Sequence, residues 1–236
     1  MYEPLDCSIS SNATLEPTTQ QAVSVKPLQE VNLHPLVNPA APGHPWAGGA
    51  DKTIPLSLSF VRSLMRSPPN FTDFRFYVNN ATFIPPTVPV LLQILSGAKT
   101  AQELLPPGSV IPLPKNSVIE LIIPPGSAVG GPHPFHLHGH TFSVVRSAGS
   151  SKYNYKNPVR RDVVSIGTDP NDAVTIRFTT DNPGPWFFHC HIDFHLEVGL
   201  AVVMAEDIPD TKKYNPVPAD WTKLCPIYNT LPSLDQ

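Results

Sequence analysis

Proline constrains this chain more than any other residue, occupying 30 of its 236 positions. Each proline fixes one backbone torsion and removes a hydrogen-bond donor, so the chain favours short strands and rigid turns over long helices. Charged residues at only 15% fit the same all-β reading. Short runs with strand character fall at 54–61, 74–79, 118–123, 141–147, 174–180, 185–192 and 199–205. Seven such strands suggest a β-sandwich or barrel. A helix-compatible spacing covers 88–96 and one or two helical turns are expected over 218–224. Residues 1–50 have no sustained periodicity and read as an irregular connector, with the main domain over 51–236.

A net charge of -3 and a pI near 6.3 supply no basic face for phosphates, which excludes nucleic acid and an anionic membrane surface as partners. Apolar runs such as 200–205 are too short to span a bilayer, and residues 1–10 lack the charged start and apolar run of a signal peptide. Three glycosylation sequons, at Asn12, Asn70 and Asn80, would matter only in a secreted protein. Cys7, Cys190 and Cys225 allow at most one internal disulfide and leave at least one thiol over.

Seven of nine histidines fall in two short stretches, HPFHLHGH at 133–140 and HCHIDFH at 189–195. A single histidine on an apolar face is usually a hydrogen-bonded core residue, but several together, flanking a cysteine on both sides, point to metal. Extended backbone alternates its side chains, so His189 and His191 project to one face while Cys190 projects to the other. The same alternation places His136 and His138 together and gives His133 the opposite parity. His133 can therefore join Cys190 at one metal, and His195 can reach back to it if the strand ends in a tight turn. His136, His138, His189 and His191 are left for a second, polynuclear centre.

Two imidazoles and a soft thiolate form the ligand set of blue copper. Zinc accepts the same donors, but a structural zinc site would leave the row of imidazoles on the opposite face unexplained. Leu200, ten positions past the cysteine, cannot ligate. An axial position without a thioether favours the reduced ion and a higher potential.

The segments HPFHLHGHTF and HCHIDFHLEVGL resemble the third and fourth copper-binding segments of laccases in the multicopper oxidase family. LHPLVNPAAPG, NNATFIPPTVPVLLQILSGA, DNPGPWFFHCH and LCPIYNTL are also similar to the basidiomycete type, extending the likeness from about residue 31 to the end. The resemblance implies a cupredoxin-like (plastocyanin-like) Greek-key fold and secretion from the cell. It makes His133, Cys190 and His195 type 1 copper ligands, with Leu200 in the axial, non-coordinating position. It makes His136 a type 2 ligand and His138, His189 and His191 ligands of the type 3 pair. Asp193 takes the place of an acidic residue that assists proton delivery, against a bland alternative as a turn-capping or salt-bridging aspartate. His140 is assigned to a structural hydrogen bond, and Phe83 to the core rather than to a donor-pocket wall. His34 and His44 are expected at the surface.

The implied activity is one-electron oxidation of phenols or aromatic amines at the edge of His195, coupled to reduction of dioxygen to water. The family's trinuclear centre uses eight histidines, four of them in N-terminal segments resembling HWHG and HSH, and this chain contains neither. The resemblance thus implies a complete type 1 site, half of a trinuclear one and a requirement for the N-terminal laccase domains. Cys225 resembles the cysteine that pairs with a partner in the first domain. A Cys7–Cys225 bridge is the alternative, and it needs the two Cα atoms within about 7 Å.

Overall fold

The computed structural model describes residues 28–64, 72–98 and 106–223, with 104, 226, 227, 230 and 232 singly. Asn12, Asn70, Cys7 and Cys225 lie outside the described residues. In chain order the strands are β1 (Lys52–Pro55), β2 (Leu58–Leu64), β3 (Thr72–Val78), β4 (Val110–Leu113), β5 (Val118–Ile123) and β6 (Pro134–Leu137). There follow β7 (Phe142–Arg146), β8 (Arg160–Arg161), β9 (Val163–Ser165), β10 (Val174–Thr179), β11 (Gly184–Cys190) and β12 (Ala201–Glu206). Among the described residues there are also three short helices, α1 (Val90–Leu95), α2 (Asp193–Glu197) and α3 (Ile208–Tyr214), with 3-10 turns at Glu30–Asn32 and Ala219–Lys223.

One sheet has the order β1-β5-β10-β7-β8 and the other β4-β12-β11-β6-β9, with β2 and β3 forming a separate hairpin. The β1–β5 and β4–β12 pairs are parallel and the remaining pairs antiparallel. Side chains on successive strand positions point to opposite faces, and the two sheets bury their facing sides against each other in one apolar cluster. Ile119, Leu121, Ile176 and Phe178 from the first sheet, and Phe135, Leu137, Phe188 and Met204 from the second, are at most 2% exposed. Burial of each such side chain contributes about 1.5–3 kcal/mol. The other face of β12 presents Ala201, Val203 and Ala205 to a second cluster built from Val90, Ile94, Ile208 and Phe83. This two-sheet architecture is the all-β sandwich expected from proline content and strand spacing.

Twelve strands replace the expected seven among the described residues. The expected strand at 54–61 divides, because the chain leaves β5 after the Leu56 N–H reaches the Ile122 carbonyl and then enters the hairpin. Proline within β4 and at the start of β6, and the charged pair in β8, hid those strands from a hydrophobic pattern. The expected helix at 88–96 is the shorter α1, and α2 and α3 had no signal in the reading.

Sequence alternation also sends Arg177 of β10 away from the core. It is fully buried there, ion-paired to Glu120 of β5 at 2.7 Å. Its other N–H groups donate to the carbonyls of Pro42, His44 and Trp46, and Tyr155 covers the guanidinium at 4.4 Å. The irregular segment around residues 42–46 is thereby fastened to the first sheet.

Candidate metal centre

The strand β11 pairs with β6 in a register that sets Cys190 opposite Phe135 and His189 opposite His136. Successive pairs face opposite sides, so this register sorts the chemistry. Cys190 joins the inter-sheet core with Phe188 and Phe135, all fully buried. His189 turns outward and stacks on Phe187 at 4.8 Å.

On the inner side the Cys190 Sγ lies 3.7 Å from His133 Nδ1 and 3.6 Å from His195 Nδ1, with the two Nδ1 atoms 3.0 Å apart. These three donors, all buried, form the group of side chains placed to hold a metal ion among the described residues. His133 comes from the residue just before β6. His195 is carried back by the single turn of α2, which provides the tight reversal the sequence required. Two backbone hydrogen bonds close this return, from the Cys190 N–H to the Leu200 carbonyl and from the Leu200 N–H to the His195 carbonyl. Leu200 is fully buried in the same cluster as Cys190.

Burial pushes the Cys190 thiol up and holds His195 below its ordinary range. For His133 burial acts first and the neighbouring His195 second, in the same downward direction. Neutral imidazoles keep lone pairs available for a metal, and a bound cation would favour the thiolate that burial alone disfavours. A thiolate with two imidazoles suits copper, so the donor set fits.

On the outer side His136, His138, His189 and His191 form a continuous group, with adjacent ring centroids 4.6–5.9 Å apart. The His138 and His189 Nε2 atoms lie 3.0 Å from each other. His136 Nδ1 is satisfied by the Asp162 carbonyl and His189 Nδ1 by the Cys190 carbonyl, which assigns the proton to Nδ1 and leaves Nε2 as an acceptor. Burial is the first cause holding His138 and His189 below their usual range. His138 and His191 are exposed, so this group opens at the surface beside a cavity of about 700 Å³ lined by His136, His140, Arg160 and Asp162.

The remaining expectations resolve individually. Asp193 is exposed at the first position of α2. His140 lies between the His138 carbonyl at 3.2 Å and the Glu206 carboxylate at 2.9 Å. Burial lowers its affinity for a proton, but the Glu206 contact, the carbonyl and Asp181 outweigh that and raise its pKa. Phe83 is a core residue, packed on Phe187 at 4.9 Å. His34 and His44 are exposed, the former bound to the Asn157 carbonyl and the latter stacked on Trp46.

The sequence reading missed Phe76 of β3, whose buried ring lies 4.9 Å from His195 and 5.8 Å from His133 and walls the inner site. It also missed Gly130, where a Cβ would come within 3.0 Å of His195 Nε2. Neither carried a signal, since both belong to segments brought over the site by the fold.

A family model described as multicopper oxidase matches residues 83–210, more than half of the sequence. The chain belongs to the multicopper oxidase family. Copper is the metal that family implies for the Cys190 group. The chain is 60% identical over 224 residues to a laccase of Trametes maxima, covering 94% of this chain and 43% of that protein. It is 62% identical over 221 residues to a laccase of Phlebia radiata, covering 94% and 40%. Thus the chain spans about two-fifths of the length of these curated relatives. Among solved structures, Fet3p, a multicopper oxidase that functions in iron import, aligns with a TM-score of 0.67 and 27% identity, over 86% of this chain and 40% of that one. A laccase from Botrytis aclada aligns at 0.66 and 24% identity over 86% and 36%, a likeness of fold. No helix among the described residues is long and apolar enough to cross a membrane.

Proposed function

We propose that this chain supplies the electron-entry copper site and half of the oxygen-reducing site of a secreted laccase. The carrying observation is the back-to-back arrangement: a buried group of His133, Cys190 and His195 within 4.8 Å on one side of β11, and four imidazoles on the other. His133, Cys190 and His195 would hold type 1 copper, with Leu200 a non-coordinating apolar residue of the same buried cluster. His136 would serve type 2 copper, and His138, His189 and His191 the type 3 pair. Copper there would supply one-electron oxidation of an organic donor and four-electron reduction of dioxygen.

The chain's own residues prepare that chemistry. The surrounding core excludes water from Cys190, and the short β11-to-α2 return orients His195. Peptide bonds link Cys190 directly to His189 and His191, so the inner and outer groups share one stretch of backbone. Gly130 leaves the edge of His195 uncrowded for a phenolic or aromatic amine donor. Asp193, exposed two positions after His191, would hand protons toward the oxygen-reducing site. The outer group opens to the surface, which supports its completion by N-terminal laccase domains of the longer relatives.

The test is to load the chain with copper, alone and mixed with the N-terminal portion of such a laccase, and measure absorption, paramagnetic resonance and oxygen uptake. Intense blue absorption from the chain, lost in Cys190→Ser, with phenol-dependent oxygen uptake only in the mixture, is expected. Blue colour without oxygen uptake in the mixture would favour a second reading, an electron-transfer module, which the complete inner group also supports. Colour retained in Cys190→Ser would overturn both.

A further inference from the structure

Resting on the function proposed above, we propose that His140, Glu206 and Asn182 are positioning residues that clamp the turn after β6 and thereby aim His138 at His189. The turn His138–Gly139–His140 is held at successive backbone and side-chain groups. The His138 N–H donates to the Phe187 carbonyl at 2.9 Å, and the His138 carbonyl lies 3.2 Å from His140 Nδ1. The Gly139 carbonyl accepts from the Asn182 side chain at 3.0 Å. His140 Nε2 lies 2.9 Å from the Glu206 carboxylate, and both side chains are at least nine-tenths buried. Glu206 in turn accepts the Asn182 N–H, and the Asn182 carbonyl accepts from Trp186 Nε1 at 2.6 Å.

Trp186 closes the clamp from above. A Cβ on Gly139 would lie 2.4 Å from its ring, and Gly139 has a φ of +70°, so the turn is pressed against indole in a conformation that glycine accepts. These partners come from the approach to β11, its first residues and the end of β12, strands that pair Gly184 with Glu206. A charged carboxylate buried in this way is costly unless partnered. Its partner is the one imidazole of the HPFHLHGH run that joins neither metal-facing group. The consequence is a fixed His138 backbone, from which the ring reaches to 3.0 Å of His189.

The experiment compares the wild-type chain with His140→Phe, which keeps a ring against Phe178 and Trp186, and Glu206→Gln, which keeps an acceptor for the Asn182 N–H. Nuclear magnetic resonance of the metal-free chain reads the contact between the His138 and His189 rings. The His133–His195 contact in the same spectra reports whether the core is intact. Both variants are expected to lose the first contact and keep the second, with His140→Phe the more severe. In the mixture with the N-terminal portion, copper titration is expected to weaken at the outer group by about 10-fold or more, with the blue thiolate band unchanged. Retention of the His138–His189 contact in both variants would overturn the clamp, as would loss of both contacts together, which marks a merely structural role. A mixture of the wild-type chain with the N-terminal portion that takes no copper on the outer face, with the ring contrast still present, would sink the proposed function and leave the clamp standing.

Discussion

Replacing Arg177 by methionine keeps the length and most of the apolar contact of the side chain but removes its charge. The guanidinium is wholly buried and Glu120 is 2% exposed, so the substitution strands a carboxylate inside the protein. Removing one member of such a pair costs about 3–5 kcal/mol. The Pro42, His44 and Trp46 carbonyls lose a donor but sit in a partly exposed segment, so water recovers much of their bonding. A loss near 4 kcal/mol corresponds to a melting shift of about 8–16 °C for a chain of this size. Urea unfolding followed by circular dichroism would measure it in Arg177→Met, Glu120→Gln and the double variant. The double variant should cost less than the two single losses combined, by about 1–3 kcal/mol. A single-variant loss below about 1 kcal/mol, or strict additivity, would refute the reasoning that this pair fastens residues 42–46 to the sheet.

Acid should destabilise the metal-free chain. His133, His138, His189 and His195 are held below 6.5, so under that pH the unfolded chain takes up protons that the folded chain refuses. Only His140 acts in the opposite sense among the histidines with a resolved shift, so melting temperature should fall between about pH 7.5 and about pH 5, and a flat profile would contradict it. Alkali should act through Tyr155, whose hydroxyl is pushed up from 10.0 to about 12, first by burial and then by Glu120. Its contribution is complete below pH 10 and disappears as the pH approaches about 12, so Tyr155→Phe should show a shallower loss of melting temperature over that window. Gly199→Ala would put a Cβ 2.0 Å from Thr82 Oγ1 at a φ of +103°, and a loss of about 2–5 kcal/mol in urea unfolding is expected.

Val174–Thr179 was legible because apolar and polar residues alternate through it, and Val118–Ile123 because it is a short, mostly apolar run, and in both the expected and observed bounds agree within one residue. The same periodicity separated Cys190 from His189 without any knowledge of neighbouring strands. It could not reveal that His136 stands opposite His189, since register between strands is a tertiary property. The Arg177–Glu120 pair was illegible for a related reason: each residue looks like a solvent-facing position of its own strand, and only the fold lays residues 42–46 over them. Likewise α2 is one turn long, too short for a helical pattern, although the need for His195 to reverse toward Cys190 implied some such return.

The cross-strand partnership of β6 with β11 makes alignment itself a functional quantity. Sliding β11 by a single residue would turn sulfur toward solvent and its imidazoles into hydrocarbon, and sliding β6 would turn His136 away from its partner, so either slip undoes the arrangement. An insertion or deletion between residues 134 and 190 is therefore tolerable only where a loop can absorb it before these two strands meet.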